Sequence, residues 1–435
     1  MGRFFAVWNY FPRRMIYFCM NIISYINENV LCPVSSVMLF VCGTVLFFKL
    51  KMYKVKKALP RGKGGISPVS ALLTSLGGTL GVGNIVGCAT AISLGGSGAV
   101  LWMMLSVPFA ACLKYGENYL AVKKKDPLYP GALAYIGKLS HGRALCLIFA
   151  LLVILFSFST GAAVQVNSAA QAAFFVFGIP KYFTGIVFAA AALLIVLGGT
   201  RRVVGFMNSA MPLFCTVYLF ICVFAIVKGR ENLPLVLSDI WYSAFTPRGA
   251  AAGAAGTAVS VAVRHGIAKS LMSNEAGCGT GPFSHGLSSS DPVTAGRMGA
   301  MEVILDTLVF GGGTSLMILL YGKQTTPGDK SGMEIALDAA EYFMGPVGEY
   351  TVGALTVFFA FASLLCWAFY GTMAAGYISP RLAVPYTLIY SAFSALGASV
   401  TPGAVWEVSD TLVCLLFLVN TTALIYHLLT FRIRE

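Results

Sequence analysis

The sequence predicts an all-α membrane protein of the secondary-transporter class, and three observations lead to that prediction. Hydrophobic residues make up 57% of the 435 residues and charged residues only 11%, whereas soluble proteins carry about 25% charged residues. Apolar segments long enough to cross a bilayer recur along the whole chain. Two of these segments are interrupted by clusters of glycine. The net charge of +13 is assigned to topology signals and lipid headgroups rather than to nucleic acid, because most basic residues flank apolar segments.

Eleven segments approach the length of about 20 apolar residues that a transmembrane helix needs. The basic and aromatic stretch 1–29 precedes them and is expected to be an interfacial segment. Segment Lys330–Met344 is amphipathic and is expected to form a helix on an outer loop. The eleven predicted spans are Val30–Leu50, Pro68–Leu94, Ala99–Val122, Ala144–Phe177, Tyr182–Gly198, Gly205–Val227, Ala250–His285, Thr294–Tyr321, Val347–Ile378, Leu382–Ser399 and Ala404–Phe431.

Spacing and charge predict the domain organisation and the orientation. The two interrupted segments lie five spans apart, which is typical of inverted-repeat transporters. We therefore expect an interfacial segment 1–29, an extra helix with a basic cytoplasmic loop 30–66, and five-helix repeats at 67–229 and 230–435. Lys and Arg are twice as frequent in one set of alternate loops. That side is expected to be cytoplasmic, which puts the C-terminus inside and the N-terminus outside a bacterial-type plasma (inner) membrane.

The first interruption contains Gly77, Gly78, Gly81, Gly83 and Gly87 within eleven residues. Each glycine costs roughly 1 kcal/mol relative to alanine in a helix, so the helix is expected to unwind here. Unwound backbone at membrane depth is tolerated where it is buried in protein or lines a cavity. In secondary transporters such segments form the substrate and ion sites. The alternative is a kinked helix whose glycines serve only tight packing.

The second interruption runs from Ser273 to Pro282 and contains Asn274, Glu275 and three glycines. Two broken helices supply what a zwitterionic amino acid needs. Helix N-termini and free N–H groups suit its carboxylate, and unwound carbonyls suit its ammonium group and a cation.

Several polar side chains near these interruptions are candidate ligands. Asn84, Asn274, Gln165 and Asn167 carry neutral amide oxygens, which suit sodium. Their alternative role is interhelical hydrogen bonding, worth about 0.6 kcal/mol each in membranes. Trp367 is expected to limit the size of the substrate side chain, unless it serves ordinary core packing.

An ordered set of motifs resembles the alanine/glycine:cation symporter family, also called the sodium:alanine symporter family. The first interruption resembles the family signature T-x-G-x-G-N-I, and later segments resemble its Q-x-N-S, F-T-P and S-N-E-A-G motifs. The matching segments are Thr79–Gly87, Ala89–Ile92, Gly95–Met103, Lys114–Glu117, Gln165–Ser168, Phe245–Pro247, Ser273–Gly277, Trp367–Gly371 and Asn420. The chain departs from the family pattern at Gly279–Pro282, where relatives have G-S-A-P, and at Ala362-Ser363, where relatives have two threonines.

The resemblance implies a leucine-transporter-like fold with a 5+5 inverted repeat and import of small neutral amino acids, alanine and glycine foremost. It implies sodium as the coupling ion and no cofactor. The expected substrate residues are Thr79, Gly81, Gly83, Gln165, Asn274 and Trp367. The expected sodium ligands are Gly77, Thr79, Leu80, Asn84 and Ser363.

Three alternatives remain open at this stage. The same fold driven by protons would use Glu275 or Asp306 as the titrating group, with Lys269 or Arg264 neutralising Glu275. An intramembrane enzyme is disfavoured because the sequence has no H-E-x-x-H or G-x-S-x-G motif. A passive channel is disfavoured because two matching broken helices suit rocking repeats.

Overall fold

The computed structural model describes residues 21–50, 66–246, 255–323, 330–400 and 402–430. Those residues are helical apart from connecting turns and two isolated β-bridges, which confirms the predicted all-α fold. Most of the predicted interfacial segment and basic loop, and Pro247 of the F-T-P motif, lie outside the described residues. In chain order the helices are α1 Asn21–Lys49, α2 Pro68–Thr79, α3 Val86–Gly95, α4 Gly98–Lys123, α5 Leu133–Ile136, α6 Gly142–Phe177, α7 Lys181–Val196, α8 Thr200–Lys228, α9 Leu233–Phe245, α10 Ala255–Asn274, α11 Gly281–His285, α12 Pro292–Gly322, α13 Gly332–Met344, α14 Pro346–Ile378, α15 Ala383–Gly397 and α16 Pro402–Thr430.

Seven of the described helices are long and apolar enough to cross a membrane, and the bent pair α2–α3 would make an eighth. The seven are α1, α4, α6, α8, α12, α14 and α16. Helices α7 and α15 have 16 and 15 residues, or about 24 Å at 1.5 Å per residue, against a hydrocarbon core of about 30 Å. The total of eleven crossings and the two five-helix repeats therefore stay predictions.

Local signals in the sequence explain where several helices begin. Ser67 accepts a hydrogen bond from the Ser70 N–H, and Pro68 takes the first position of α2. Ser331 and Glu334 form a capping box at the start of α13. The predicted helix at Lys330–Met344 is thereby confirmed, with its first residue at Gly332.

The first predicted helix break is present. Helix α2 ends at Thr79, a 3₁₀ turn covers Val82–Asn84, and α3 begins at Val86. The axes of the two halves differ by 62°. The unwinding predicted from the glycine cluster is therefore confirmed.

The second predicted break is present as well. Helix α10 ends at Asn274, and the backbone then turns left-handed at Glu275, Gly277 and Gly279, with φ of 51°, 81° and 76°. Glycine adopts such angles without a steric penalty, whereas Glu275 adopts one as a non-glycine residue. Three left-handed residues within five positions stop a right-handed helix. Helix α11 resumes at Gly281.

Helices α6 and α12 each contain a π turn near the middle of the chain segment that they span. The π turn Ile304–Gly311 in α12 contacts the 3₁₀ turn of the first break and α10. The π turn Ser157–Val164 in α6 contacts α14. Such turns occur frequently at functional sites, and these two direct Asp306 and Gly161 towards the centre of the helix bundle.

Candidate functional site

Gln165 lies against the backbone of the first break. Its Oε1 accepts a hydrogen bond from the Val82 N–H at 3.2 Å, and its Nε2 donates to the Thr160 carbonyl at 3.2 Å. A Cβ added at Gly81 would lie 2.6 Å from the same Oε1. A side chain at this position would displace the Gln165 amide group, so glycine permits its close approach, and the structure brings Gly81 and Gln165, both expected to bind substrate, together.

Ser363 on α14 lies against the C-terminal end of α2. Its hydroxyl donates to the Gly78 carbonyl at 2.9 Å, and neighbouring Cys366 Sγ contacts the Thr74 carbonyl at 3.1 Å. The structure thus brings Ser363 to the end of α2, as expected, although its hydrogen-bond partner is Gly78 rather than Gly77 or Leu80. The Thr79 carbonyl accepts from the Gly81 N–H at 2.8 Å.

A buried carboxylate joins the two breaks. Asp306 is fully buried, and its Oδ1 accepts a hydrogen bond of 2.6 Å from Asn84 Nδ2 of the first break. Its Oδ2 accepts from Ser273 Oγ, one residue before the end of α10, at 2.8 Å and from Thr307 Oγ1 at 2.9 Å. Asn84 Oδ1 is buried without a hydrogen-bond partner among the described residues. This amide oxygen and the carboxylate form an oxygen-rich centre of the kind that sodium prefers.

Asn274 is held by its own surroundings. Its Nδ2 donates to Ser270 Oγ at 3.1 Å and to Thr307 Oγ1 at 3.0 Å, and its Oδ1 accepts from the Ala276 N–H at 3.0 Å. These bonds fix the end of α10 and the first turn of the break. Gly83 faces this region, since a Cβ there would lie 3.7 Å from Ser273 Cα.

Trp367 is fully buried and packs edge-on against Phe156, with ring centroids 4.8 Å apart, and against Tyr370 at 5.4 Å. A Cβ at Gly161 in the π turn of α6 would lie 2.3 Å from Trp367 Cβ. Its Nε1 makes no hydrogen bond to the described residues. The aromatic ring is therefore positioned by packing on three sides.

Asn167 does not join the site. Its Nδ2 donates to the Gly397 carbonyl at 3.2 Å and to the Val400 carbonyl at 2.7 Å. Of the two roles weighed for this residue, the interhelical hydrogen bond is the one present.

The proposed neutralisation of Glu275 by Lys269 or Arg264 is wrong. Lys269 Nζ pairs with Asp410 at 3.2 Å, and Arg264 pairs with Glu28 at 3.2 Å. Glu275 instead accepts a hydrogen bond of 2.7 Å from Thr280 within the break. Both cations lie on α10 before the break, where their own acidic partners hold them away from Glu275.

Sequence reasoning missed a clamp on the second break. Lys114 Nζ donates to the Asn274 carbonyl at 3.0 Å, and Glu117 accepts from the Gly279 N–H at 3.0 Å. Asn420 Nδ2 donates to the Gly277 carbonyl at 2.8 Å and to Glu117 at 3.0 Å. The available signal was the presence of Lys114 and Glu117 inside an apolar span, where ionisable residues are usually functional.

The polar and aromatic residues expected to form the site are closed off from solvent. None of their side chains is more than 5% exposed. They are Thr79, Asn84, Gln165, Asn274, Ser363 and Trp367. A substrate therefore reaches them only after part of the bundle moves.

Several known proteins are similar to this chain in sequence or in fold. The family model for the sodium:alanine symporter family matches residues 16–433. The chain is 31% identical to an uncharacterised Bacillus subtilis transporter, YflA, over 87% of this chain and 83% of YflA. It is 28% identical to the sodium/alanine symporter AgcS of Methanococcus maripaludis over 90% of this chain and 91% of AgcS. Among solved structures it is similar in fold to MhsT in complex with L-phenylalanine, with a TM-score of 0.60, 16% identity and coverage of 82% of this chain and 89% of MhsT.

Proposed function

The chain belongs to the sodium:alanine symporter family, and from this premise we propose that it imports small neutral amino acids, alanine and glycine foremost, by sodium symport with alternating access. The observation that carries this proposal is the junction of the two helix breaks at Asp306. One carboxylate receives hydrogen bonds from Asn84 in the first break and from Ser273 beside the second. A ligand bound beside Asp306 contacts both helix breaks at once.

The proposed sodium ligands form two groups. The first contains the carbonyls of Gly77 and Leu80 and the hydroxyl of Ser363, which already lies 2.9 Å from the neighbouring Gly78 carbonyl. The second contains the amide oxygen of Asn84 and the Thr79 carbonyl. Asp306 accepts a hydrogen bond from Asn84 and therefore places an anionic oxygen beside this second group. Such oxygen ligands suit hard cations.

The proposed amino-acid site lies between the first break and α14. The N–H groups around Gly81 and Gly83, at the start of the 3₁₀ turn, are suited to the substrate carboxylate, with Thr79 and Gln165 beside them. Asn274 lies on the side of the second break. Trp367 limits the side chain that fits beyond Cβ.

The burial of these residues supports alternating access. Because a closed site exchanges with neither solution, α2–α3 and α10–α11 must each open their part of the site in turn. Sodium and the amino acid stabilise the closed arrangement only when both are present, which is the condition for coupled transport.

The experiment is radiolabelled alanine uptake into proteoliposomes containing the purified protein, with a sodium gradient and a proton gradient imposed separately. The proposal expects uptake that follows the sodium gradient, is inhibited by excess glycine, and survives a protonophore. Uptake that is indifferent to replacing sodium with choline and collapses with a protonophore would refute sodium symport and favour the proton-driven alternative, with Asp306 or Glu275 as the carrier. The specific observation behind that alternative is the full burial of the Asp306 carboxyl group.

A further inference from the structure

A second group of buried ionisable residues adjoins the proposed site at Asn274 but contains none of the proposed sodium and substrate residues. Lys114 and Glu117 on α4, His285 at the end of α11 and Glu302 on α12 are all fully buried. Lys114 Nζ lies 3.2 Å from Glu302 Oε1 and 3.9 Å from Glu117 Oε1. His285 Nε2 lies 3.5 Å from Glu302 Oε2. These four side chains therefore form one continuous polar network inside the helix bundle.

The charges in this network do not balance. Lys114 is one cation, and it already serves Glu302, Glu117 and the Asn274 carbonyl. Against it stand the carboxyl groups of Glu117, Glu302 and nearby Glu275, which are all buried. An uncompensated buried charge is strongly unfavourable, so an additional positive charge stabilises this arrangement. The Lys114 ammonium group already lies between Glu302 and Glu117, and a proton supplies that charge without further space.

The His285–Glu302 pair is where a proton fits. Both ring nitrogens of His285 and the Oε2 atom of Glu302 are buried and make no hydrogen bond of acceptable geometry to the described residues, while Oε1 of Glu302 is paired with Lys114. Buried polar groups are normally paired. One proton shared between Nε2 and Oε2 would give each side chain a partner after an approach of a few tenths of an ångström from the present 3.5 Å.

We propose that His285 and Glu302 form a buried proton-binding site whose charge state controls the docking of α11 on α12. The site lies outside the proposed sodium and amino-acid ligands, so its proton is a regulatory ligand and not the coupling ion. When the proton is bound, an imidazolium–carboxylate pair ties the end of α11 to α12. When it leaves, the excess negative charge weakens this contact, and the segment that follows the second break is released.

The other groups around the pair define its electrostatic surroundings. Helix α4 contributes the cation Lys114 and the carboxyl group of Glu117, and the second break contributes the carboxyl group of Glu275 and the thiol of Cys278. Helix α12 contributes the carboxyl group of Asp306, one turn after Glu302. Helix α14 contributes the thiol of Cys366 and the phenol of Tyr370. Because Lys114 contacts both Glu302 and the Asn274 carbonyl, a change at Glu302 reaches both ends of the second break.

The first test is sodium-driven alanine uptake with the same pH inside and outside, so that no proton gradient contributes. The wild-type initial rate is expected to change severalfold between about pH 5.5 and 8.5, the range in which histidine is the usual titrating side chain. His285→Gln and Glu302→Gln should each flatten that profile. The matched control is His141→Asn, an exposed histidine with φ of 60°, where asparagine is tolerated. A wild-type profile retained in both network variants would overturn the proposal.

The second test does not depend on the transported substrate. The chain has four histidines, so histidine-selective ¹⁵N labelling gives few signals, and His285→Gln identifies the one from His285. The ¹⁵N signals of the His285 ring at one pH are expected to differ between the wild type and Glu302→Gln, because the glutamine has no carboxylate to share a proton with the ring. Identical His285 ring signals in the two proteins would overturn the proposal even if alanine uptake proves to be the wrong assay. Glu302→Asp, which keeps the charge, should retain the wild-type ring signals, and signals like those of Glu302→Gln would count against the role of the charge.

Discussion

At the scale of single residues, Asn84 has the most informative surroundings. Its Nδ2 binds Asp306 at 2.6 Å, while its Oδ1 is buried and unpartnered within the described residues. An amide that is half satisfied in this way is poised to complete its contacts with a bound cation. This one side chain belongs to the first break and contacts the π turn of α12 through Asp306.

We expect Asn84→Ala to abolish sodium-coupled uptake while the protein still purifies as a folded monodisperse species. A hydrogen bond to a charged group is worth about 1.5–3 kcal/mol, so sodium binding should weaken by at least about tenfold. Uptake of labelled alanine at several sodium concentrations measures this. Asn208→Ala is the control, because Asn208 is exposed and its Nδ2 donates to Ser70 Oγ at 3.0 Å, away from the proposed sodium ligands. Near wild-type rate and sodium dependence in Asn84→Ala would remove this residue from the site.

Ser363 gives a second prediction. Its hydroxyl already contacts a carbonyl at the end of α2, so Ser363→Ala removes one oxygen from the first proposed sodium site. A single neutral ligand is worth about 1 kcal/mol, and the sodium concentration for half-maximal uptake should rise about fivefold, with substrate preference unchanged. The exposed Ser209, which bonds only within its own helix, provides the control variant Ser209→Ala. Equal sodium dependence in both variants would contradict the assignment.

Trp367 gives a third prediction, about substrate size. Trp367→Ala opens a volume bounded by Phe156 and Tyr370, so leucine and methionine should compete better against labelled alanine. Pocket discrimination of this kind is worth about 1–3 kcal/mol per methylene, so we expect relaxed rather than inverted preference. The control is Trp102→Ala, because the Trp102 indole donates to the Ala244 carbonyl on α9 and lies outside the proposed site. This variant should give the same inhibition series as the wild type. An unchanged series in Trp367→Ala would indicate that Trp367 serves core packing.

At the scale of elements, α13 lies over the first break. A Cβ at Gly332 would lie 2.9 Å from the Val86 carbonyl at the start of α3, so the N-terminus of α13 packs directly on the half-helix that follows the break. The capping box of Ser331 and Glu334 fixes that end. The helix therefore packs on α3 as well as on α14, and the capping box adds to the stability of its N-terminal end.

Ser331→Ala is expected to loosen α13. An N-cap is worth about 1 kcal/mol, so amide hydrogen exchange in α13 should quicken about fivefold, while exchange in α14 stays as in the wild type. The hydrogen bonds from the Ser331 hydroxyl and N–H hold the pKa of Glu334 below its usual value. This stabilisation is complete above the unfolded pKa of about 4.3 and is lost as the pH falls through the lower folded pKa. Exchange equally slow in the variant and the wild type near pH 7 would show that packing alone holds α13.

At the scale of the whole molecule, the basic loops predict a C-terminus in the cytoplasm and an N-terminus outside. A fluorescent reporter fused after Glu435 should be active inside, and a tag inserted between Leu139 and His141 should be protected on the same side. The reporter at Met1 should behave oppositely, because an odd number of crossings separates the termini. Both termini on one side would contradict the total of eleven crossings.

Much of the candidate site was predictable because its signals are local. Glycine clusters indicate both helix breaks, and the family resemblance implies roles for Gln165 and Ser363 at the first break, where the structure brings them. In the sequence, Asp306 is only a candidate proton carrier, since nothing in its neighbourhood along the chain indicates a partner 222 residues away. Lys114 lies 3.9 Å from Glu117, three residues on, yet its shorter contact, of 3.2 Å, is with Glu302 on another helix.

The sequence by itself determined the fold class, the positions of the two breaks and the family. These depend on composition, on glycine's backbone freedom and on ordered motifs, which are properties of short segments. Only the tertiary structure decided that Asp306 is the carboxylate that joins the breaks. It also decided that Lys269 and Arg264 pair with other carboxylates than Glu275, and that His285 lies beside Glu302. The physical reason is that a buried polar group is satisfied by whatever packing brings within about 3 Å, and packing among helices is set by the whole bundle rather than by neighbours along the chain.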